Sequence, residues 1–212
     1  MLSSIKAPVQ IDLQRLNKKS ILKENIGKQI RPTLILLGNK LSQKKPTIKT
    51  NNQILEIANV IEQIHFASIV HDDVVDECNY RRDKPTYHYK SSNRKAILYG
   101  DYLFSNASYK IAELENTEVS KSMSQILMDL SLGELNQLEN YFNVRYTKEE
   151  YIDKSFKKTG CMFAESMRMC SLITNIEYEH DLHEFGKNFG MLYQIVDDIL
   201  DYSGSDELIK KP

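Results

Sequence analysis

The sequence predicts an all-α protein. Apolar residues recur at three- and four-residue spacing along most of the chain, which is the period of an amphipathic helix. Runs of alternating apolar and polar residues, and the dipeptides that join hairpin strands, are not evident. With 212 residues, of which 41% are hydrophobic, the chain can enclose one sizeable core. We therefore expect a single helical domain over residues 1–212.

Each predicted element has a local justification. Pro32 suits the first turn of a short helix. Thr147 and Glu150 have the spacing of a capping box, which predicts a helix start. Apolar positions at helical spacing and polar stretches define the rest. The expected elements, in order, are a short helix from Pro32 to Leu41, a polar loop at Ser42–Asn52, and helices from Asn51 to about Asp76, Asn93 to Glu115, Val119 to Tyr141, Glu149 to Thr174 and Leu182 to Tyr202.

Charge and cysteine content exclude several classes of protein. The formal net charge is −1 at pH 7, so the chain lacks the basic surface that nucleic acids or anionic membranes require, and neither is an expected partner. Its 3 cysteines show no C-x-x-C spacing, which argues against a disulfide framework and a zinc knuckle. No apolar run reaches about 18 residues, so no transmembrane segment is expected. We expect a soluble protein, either cytoplasmic or, because its Lys, Asn, Ile and Tyr content is typical of AT-biased genomes, encoded in a plastid.

Three aspartates crowd the end of the long predicted helix. Asp72 and Asp76 are four residues apart on one helix face, and Asp73 lies beside them. Each like-charge pair costs about 0.2–0.5 kcal/mol, and the helix dipole disfavours negative charge at a C-terminus. Because local stability does not favour these residues, we expect a cation to bind among them.

A second cluster repeats the first. Asp197, Asp198 and Asp201 have the same spacing at the end of another apolar helix. One such cluster is equally well explained as a solvated helix end, whereas two copies indicate a shared role. Carboxylates without nearby cysteine suit a hard cation, and Mg²⁺ commonly combines a few carboxylates with phosphate oxygens. The two clusters therefore predict Mg²⁺ ions that hold a diphosphate between them.

Compact groups of cationic residues can supply the remaining positive charge. Arginine binds phosphate oxygens through its planar fork, and lysine acts as a mobile point charge. Any one group is better explained as solvated surface, but together with the carboxylates they favour a phosphate site. The groups are Lys28 with Arg31, Arg81 with Arg82, and Lys157 with Lys158 and Thr159.

Ordered motifs resemble those of the trans-isoprenyl diphosphate synthases, or polyprenyl synthetases, and are similar to those of the long-chain, solanesyl-type members. The resemblance implies an isoprenoid-synthase helical bundle around a central cavity. It also implies a prenyltransferase that uses Mg²⁺ to condense isopentenyl diphosphate with an allylic prenyl diphosphate. The motifs are GKQIRP, IHFASIVHDDVVDE, RRDKPTYH, LYGDYLFSNA, GELNQ, KSFKKTG and FGMLYQIVDDILDYSG, which cover the chain from about Gly27 onward.

The same resemblance implies a role for each matched residue. Taken alone, His65 is better explained as a core or capping histidine. Gly100, Asp101, Glu134 and Gln137 match positions whose roles are expected to be structural or supporting. The expected Mg²⁺ ligands are Asp72, Asp73, Asp76, Asp197, Asp198 and Asp201; the allylic diphosphate would contact Lys158, Thr159, Gln194 and Arg81; and isopentenyl diphosphate would contact Lys28, Arg31, His65 and Arg82.

Two small residues are expected to influence product length. Ala67 and Ser68 precede Asp72 by about one helical turn, so they can border the space beneath a bound diphosphate. A growing tail gains about 0.8 kcal/mol per buried CH₂ and will fill an open apolar tunnel. In the family, bulky aromatics at these positions favour short products. We therefore expect products longer than farnesyl diphosphate, such as a quinone side-chain precursor.

Departures from the family pattern leave alternatives open. The chain is expected to be shortened near its N-terminus and to lack the last helices of the family, and Asp83 and Lys210 replace common glycines. One alternative is a non-catalytic or partner-dependent subunit of a heteromeric synthase, which would be expected to lose one aspartate motif. A terpene cyclase normally keeps a different second metal motif. A phosphohydrolase using His71 and Asp72 leaves the second cluster unexplained. The resemblance implies a homodimer or a heteromer.

Overall fold

Helices dominate the regular structure of this protein. The computed structural model describes residues 28–42, 47–140 and 142–203, and over these ranges the all-α prediction is confirmed. Within the same ranges, no helix is long and apolar enough to cross a membrane. Three of the sequence predictions lie outside the described residues. They concern the shortening near the N-terminus, residues 43–46 of the predicted loop, and Lys210. The helices are α1 (Ile30–Ser42), α2 (Ile48–Val75), α3 (Tyr87–Lys90), α4 (Asn93–Ala112), α5 (Thr117–Glu139), α6 (Lys148–Ser155), α7 (Cys161–Thr174) and α8 (Glu179–Ser203).

The long helix α2 begins earlier than predicted. Thr47 is its N-cap, and the Thr47 hydroxyl accepts a hydrogen bond from the backbone N–H of Thr50 at 3.1 Å. The loop prediction was therefore wrong for the residues after Thr47. At the other end, Asp76 follows the last helical residue, and its N–H donates to the carbonyl of Asp72 at 2.8 Å. The first aspartate cluster thus occupies the last turn and the C-cap of α2.

A short hairpin follows the first aspartate cluster. Strand β1 (Tyr80–Arg81) pairs antiparallel with β2 (Lys84–Pro85). The turn residues Arg82 and Asp83 have φ values of 52° and 60°, and positive φ at both positions is typical of the type I′ turn that suits hairpin twist. The expectation of no strand was wrong here because Arg-Asp is not a dipeptide that signals this turn. Helix α3, directly after the hairpin, was also not predicted.

The helix predicted from Glu149 to Thr174 is divided into α6 and α7. The capping box at the start of α6 is confirmed, because Thr147 and Glu150 each accept a backbone hydrogen bond from the other. Between the two helices the chain forms a π-helical turn at Phe156–Gly160, in which the Cys161 N–H donates to the Phe156 carbonyl. Turns of this kind inside helices are frequent at functional sites. This turn carries Lys157, Lys158 and Thr159 of the KSFKKTG motif. The last helix, α8, begins earlier than predicted, directly after a 3₁₀ turn at Ile176–Tyr178.

The core lies around α2 and α7. Helix α2 packs against α1, α4 and α7, and α7 also packs against α5 and α8. Ile57, Ile61 and Ile64 of α2 are fully buried in the same cluster as Met162 and Met169 of α7. This packing holds the helix that carries the first aspartate cluster beside the helix that follows the π-helical turn.

Two glycines bring α8 close to α7. A Cβ atom at Gly190 would lie 2.8 Å from the Cα of Gly160, and one at Gly186 would lie 2.8 Å from the carbonyl carbon of Phe163. Real Cβ atoms essentially never approach other atoms so closely. Glycine is therefore required at both positions for the observed spacing. The second aspartate cluster, further along α8, is placed by this backbone packing.

Candidate active site

The first aspartate cluster is contacted by the hairpin that follows it. Asp73 is buried, and its Oδ1 accepts a hydrogen bond from Nε of Arg81 at 2.7 Å. Asp72 is partly buried and Asp76 is exposed. The hairpin thus returns Arg81 to the cluster. Arg81 was expected to contact the allylic diphosphate, and in the structure its guanidinium pairs with the Asp73 carboxylate.

The surroundings of Asp72 disfavour the ionised form of its carboxyl group. Burial raises the pKa of Asp72 to about 7, from an ordinary value of 3.8, and the nearby Glu134 and Asp76 carboxylates act in the same direction. Lys158 and Arg81 oppose this rise but do not cancel it. An additional cation among these carboxylates would favour their ionised forms.

Lys158 on the π-helical turn is held by the GELNQ motif of α5. Its Nζ lies 2.6 Å from Oε1 of Glu134 and donates to Oε1 of Gln137 at 3.0 Å. A Cβ atom at Gly133 would lie 3.0 Å from the backbone nitrogen of Lys158, so the glycine allows α5 to pack closely against the turn. The motif therefore holds the ammonium group of Lys158 in place through Glu134 and Gln137.

Thr159, the next residue, connects to the second aspartate cluster. Its hydroxyl donates to Oε1 of Gln194 at 2.5 Å, and Nε2 of Gln194 donates to Oδ1 of Asp198 at 2.7 Å. The hydroxyl of Tyr151 on α6 donates to the other oxygen of Asp198, also at 2.7 Å. Sequence reasoning missed Tyr151, because nothing in its local pattern distinguishes it from other helix-surface tyrosines. Asp197 and Asp201 also take part in interactions.

A second group of predicted residues is brought together at the start of α1. Burial lowers the pKa of Arg31, and the Glu62 carboxylate partly opposes this effect. The guanidinium carbon of Arg31 lies 4.9 Å from the centre of the Phe163 ring. Its Nε is buried and has no hydrogen-bond partner among the residues that the structure describes. A buried donor without a partner is costly, so this atom is a candidate for contact with an anionic ligand.

His65 faces the same group. Its pKa lies well below the ordinary value, first because it is buried and then because Arg31, Arg82 and Arg81 are nearby. The ring is therefore neutral at physiological pH and can donate one hydrogen bond. Arg82 and Lys28 are exposed. Sequence reasoning missed Glu62, which lies one turn before His65, although that spacing places both residues on the same helix face.

The two predicted chain-length residues differ in their surroundings. Ala67 is fully buried and packs with Leu103 of α4, so it does not border open space. Ser68 is partly exposed, and its hydroxyl donates to the carbonyl of His65 at 2.9 Å within the same helix. Of the two residues, Ser68 is better placed to reach a bound ligand.

His71 is occupied by contacts with α4. Its Nε2 lies 3.0 Å from the carbonyl oxygen of Ile97 and 3.6 Å from Oδ1 of Asp101. A side chain at Gly100 would collide with the His71 ring, so this glycine makes room for it. These contacts support the structural roles expected for Gly100 and Asp101. They argue against a metal-binding pair formed by His71 and Asp72.

The donor set fits Mg²⁺, although no complete metal cage is preformed. In the described ranges, no three His, Cys, Asp or Glu side chains converge closely enough to hold a metal ion by themselves. Mg²⁺ does not require such a cage, because it usually takes one or two protein carboxylates and completes its shell with water and phosphate oxygens. The clustered, crowded carboxylates are suited to that mode of binding.

Comparisons with known proteins agree on one family. Residues 17–212 match the polyprenyl synthetase family model. The chain is 36% identical over 229 residues to a prenyl transferase of Cyanophora paradoxa, covering 100% of this chain and 70% of that protein. It is 40% identical over 189 residues to the chloroplastic solanesyl diphosphate synthase 1 of Arabidopsis thaliana, covering 88% of this chain and 47% of that protein. The chain thus spans only about half the length of that relative.

Solved structures show the same fold. Heptaprenyl diphosphate synthase of Staphylococcus aureus superposes with a TM-score of 0.85 at 27% identity, covering 98% of this chain and 69% of that one. Decaprenyl diphosphate synthase of Rhodobacter capsulatus gives a TM-score of 0.80 at 27% identity, and the match covers 100% of this chain and 70% of that one. The predicted isoprenoid-synthase type of helical fold is confirmed.

Proposed function

Because this chain belongs to the polyprenyl synthetase family, we propose that it is a prenyltransferase that condenses isopentenyl diphosphate with an allylic prenyl diphosphate to form a longer trans-polyprenyl diphosphate. The observation that carries the proposal is the connection of both aspartate clusters to one π-helical turn. The positive charge of Lys158 lowers the pKa of Asp72 in the first cluster. Thr159 is connected by hydrogen bonds, through Gln194, to Asp198 in the second cluster. Residues far apart in sequence thus contribute to one polar site.

The allylic diphosphate is proposed to bind at this polar site. The two aspartate clusters, through Asp72, Asp73, Asp76, Asp197, Asp198 and Asp201, would hold Mg²⁺. Bound Mg²⁺ would stabilise the negative charge that develops on the departing diphosphate. Lys158 adds a positive charge whose position is restrained by two partners on α5. Thr159, Gln194 and Arg81 complete the polar surroundings.

Isopentenyl diphosphate is proposed to bind near Arg31 and His65. The buried and unpaired Nε of Arg31 supplies a donor that an anionic oxygen would satisfy. Neutral His65 can donate a further hydrogen bond without adding charge. Lys28 and Arg82 are exposed and can approach the same diphosphate from the solvent side. Separate sites for the two diphosphates leave their hydrocarbon portions free to meet.

A direct assay tests this function. Purified full chain is incubated with Mg²⁺, labelled isopentenyl diphosphate and farnesyl or geranylgeranyl diphosphate, and the hydrolysed products are separated by chromatography. We expect labelled prenols from the wild type, none from Asp72→Ala, and normal amounts from the exposed-aspartate control Asp181→Ala. A folded wild-type protein that forms no product would contradict the proposal for this chain.

Product length provides a second prediction. Ser68→Phe is expected to shorten the longest product, because Ser68 is partly exposed near the cluster and its hydroxyl bonds only within its own helix. Ala67→Phe is a less clean test, since Ala67 has no exposed surface. Chromatography of the labelled prenols measures the change. Ser124→Phe, on the exposed surface of α5, is the control. Identical products from Ser68→Phe and wild type would refute this role for Ser68.

Assembly and location are also proposed. A homodimer is supported by the apolar residues Met128, Leu132, Leu135 and Leu138, which α5 exposes at helical spacing. A plastid location is supported by the chloroplastic description of several relatives. Sedimentation of the full chain tests the first proposal, and fractionation of the source cells tests the second. A monomer, or recovery in the cytosol alone, would contradict the respective proposal.

A further inference from the structure

A tyrosine outside both aspartate clusters contacts the second cluster. The Tyr151 hydroxyl donates to Oδ2 of Asp198 at 2.7 Å, and Nε2 of Gln194 donates to Oδ1 at the same distance. Each oxygen of this carboxylate therefore has its own donor. The two donors come from different helices, α6 and α8, so rotation of the carboxylate would break at least one of these hydrogen bonds.

Tyr151 is itself held in place. It lies in the first turn after the capping box of Thr147 and Glu150, which fixes the start of α6. The Nζ of Lys154 lies 5.3 Å from the centre of its ring, within the range of a cation–π contact. A tyrosine hydroxyl is protonated at physiological pH, so it can donate the hydrogen bond to Asp198.

The other donor to Asp198 is oriented in the same way. Thr159 on the π-helical turn donates to Oε1 of Gln194, and this bond directs the amide nitrogen of Gln194 toward Asp198. The carboxylate is therefore clamped between a residue aimed by the turn and a residue aimed by α6. Gln194 and Thr159 were expected from the sequence motifs, whereas Tyr151 was not.

We propose that Tyr151 is a positioning residue that fixes the orientation of the Asp198 carboxylate for Mg²⁺-dependent binding of a diphosphate. This inference rests on the proposed function of the aspartate clusters. A carboxylate has two further lone-pair directions available after each oxygen accepts one hydrogen bond, so a clamped Asp198 can still face a metal ion. Partners that orient metal-binding side chains typically contribute 10- to 100-fold to metal affinity or activity.

The first test removes only the hydroxyl group. Calorimetry measures the binding of inorganic diphosphate to the full chain across a range of Mg²⁺ concentrations. Tyr151→Phe is expected to weaken Mg²⁺-dependent binding by about 10- to 100-fold while the thermal unfolding midpoint changes little. Tyr146→Phe is the matched control, because its hydroxyl donates at 3.0 Å to a backbone carbonyl of the same segment, that of Glu150, and not to the aspartate cluster. It is expected to bind as the wild type does.

The second test asks whether Tyr151 acts through Asp198. In an Asp198→Asn background, Tyr151→Phe should cause little further loss, because the carboxylate that it orients is already absent. Equal losses in both backgrounds would show a merely structural role and overturn the inference. If the wild type binds diphosphate in a Mg²⁺-dependent way and Tyr151→Phe binds it equally well, the inference is overturned while the proposed function stands. Wild type without Mg²⁺-dependent binding would overturn both the inference and the proposed function.

Discussion

Gly186→Ala is expected to lower the free energy of unfolding by roughly 3 kcal/mol or more, the upper end of the range for overpacked interiors. The added methyl group would lie 2.8 Å from the carbonyl carbon and 2.9 Å from the Cα of the neighbouring residues Phe163 and Ala164. These are backbone atoms of α7, which cannot turn aside as a side chain can. Helix α8 would have to move away from α7, and the second aspartate cluster would move with it.

Chemical denaturation of the purified chain measures this effect. Gly38→Ala is the matched control, because the atom nearest to its new methyl group would be Cε of Met167, the flexible end of a side chain, at 2.8 Å. Both variants add one methyl group to a buried helical glycine. If Gly186→Ala is as stable as Gly38→Ala, the close backbone packing of α7 and α8 is not required.

Asp72→Asn is expected to stabilise the metal-free protein at neutral and alkaline pH while it abolishes Mg²⁺-dependent diphosphate binding. The pKa of Asp72 in the folded protein, about 7, lies above its ordinary value of 3.8. The folded state therefore binds this proton more tightly than the unfolded chain does. The stability of the wild type should be greatest below the ordinary pKa, should fall as pH rises toward 7, and should then level off.

The pKa shift of Asp72 sets the expected change in the free energy of unfolding. The shift corresponds to at most about 4 kcal/mol, and partial solvent exposure and relaxation reduce our expectation to about 2 kcal/mol. Thermal unfolding in chelator-treated buffer should give Asp72→Asn a midpoint several degrees above wild type at pH 8, and little difference at pH 4, whereas Asp181→Asn should match wild type at both. An Asp72→Asn variant that is less stable at pH 8 would show that its carboxylate is already paired within the protein.

The sequence was most informative where chemistry depends on spacing along one helix. The paired aspartate clusters, the Lys158-Thr159 segment and the order of motifs identified the family before any contact was known. The fold class followed from helical periodicity, which reports only which face of each helix is apolar. Those inferences require no knowledge of neighbouring helices.

Features that depend on contacts between segments were missed. The Arg82-Asp83 turn is not a favoured hairpin dipeptide, and its positive φ values arise from pairing of the strands that flank it. Tyr151 carries no local signal, because it is defined by a partner on another helix. Glu62 shares a helix face with His65, but that spacing could not show that Arg31 of α1 lies nearby. Ala67 was expected to face a cavity, but periodicity could not show that Leu103 of α4 covers it.

The π-helical turn adds one residue to an otherwise regular helix. Its hydrogen bond from Cys161 to Phe156 spans five residues, one more than in an α-helical turn. Deletion of one residue from Phe156–Gly160 that restored a regular helix would therefore leave the buried faces of α6 and α7 almost in register. The deletion would move Lys158 and Thr159 while it preserved the core, so the turn separates the geometry of the polar site from the packing of the fold.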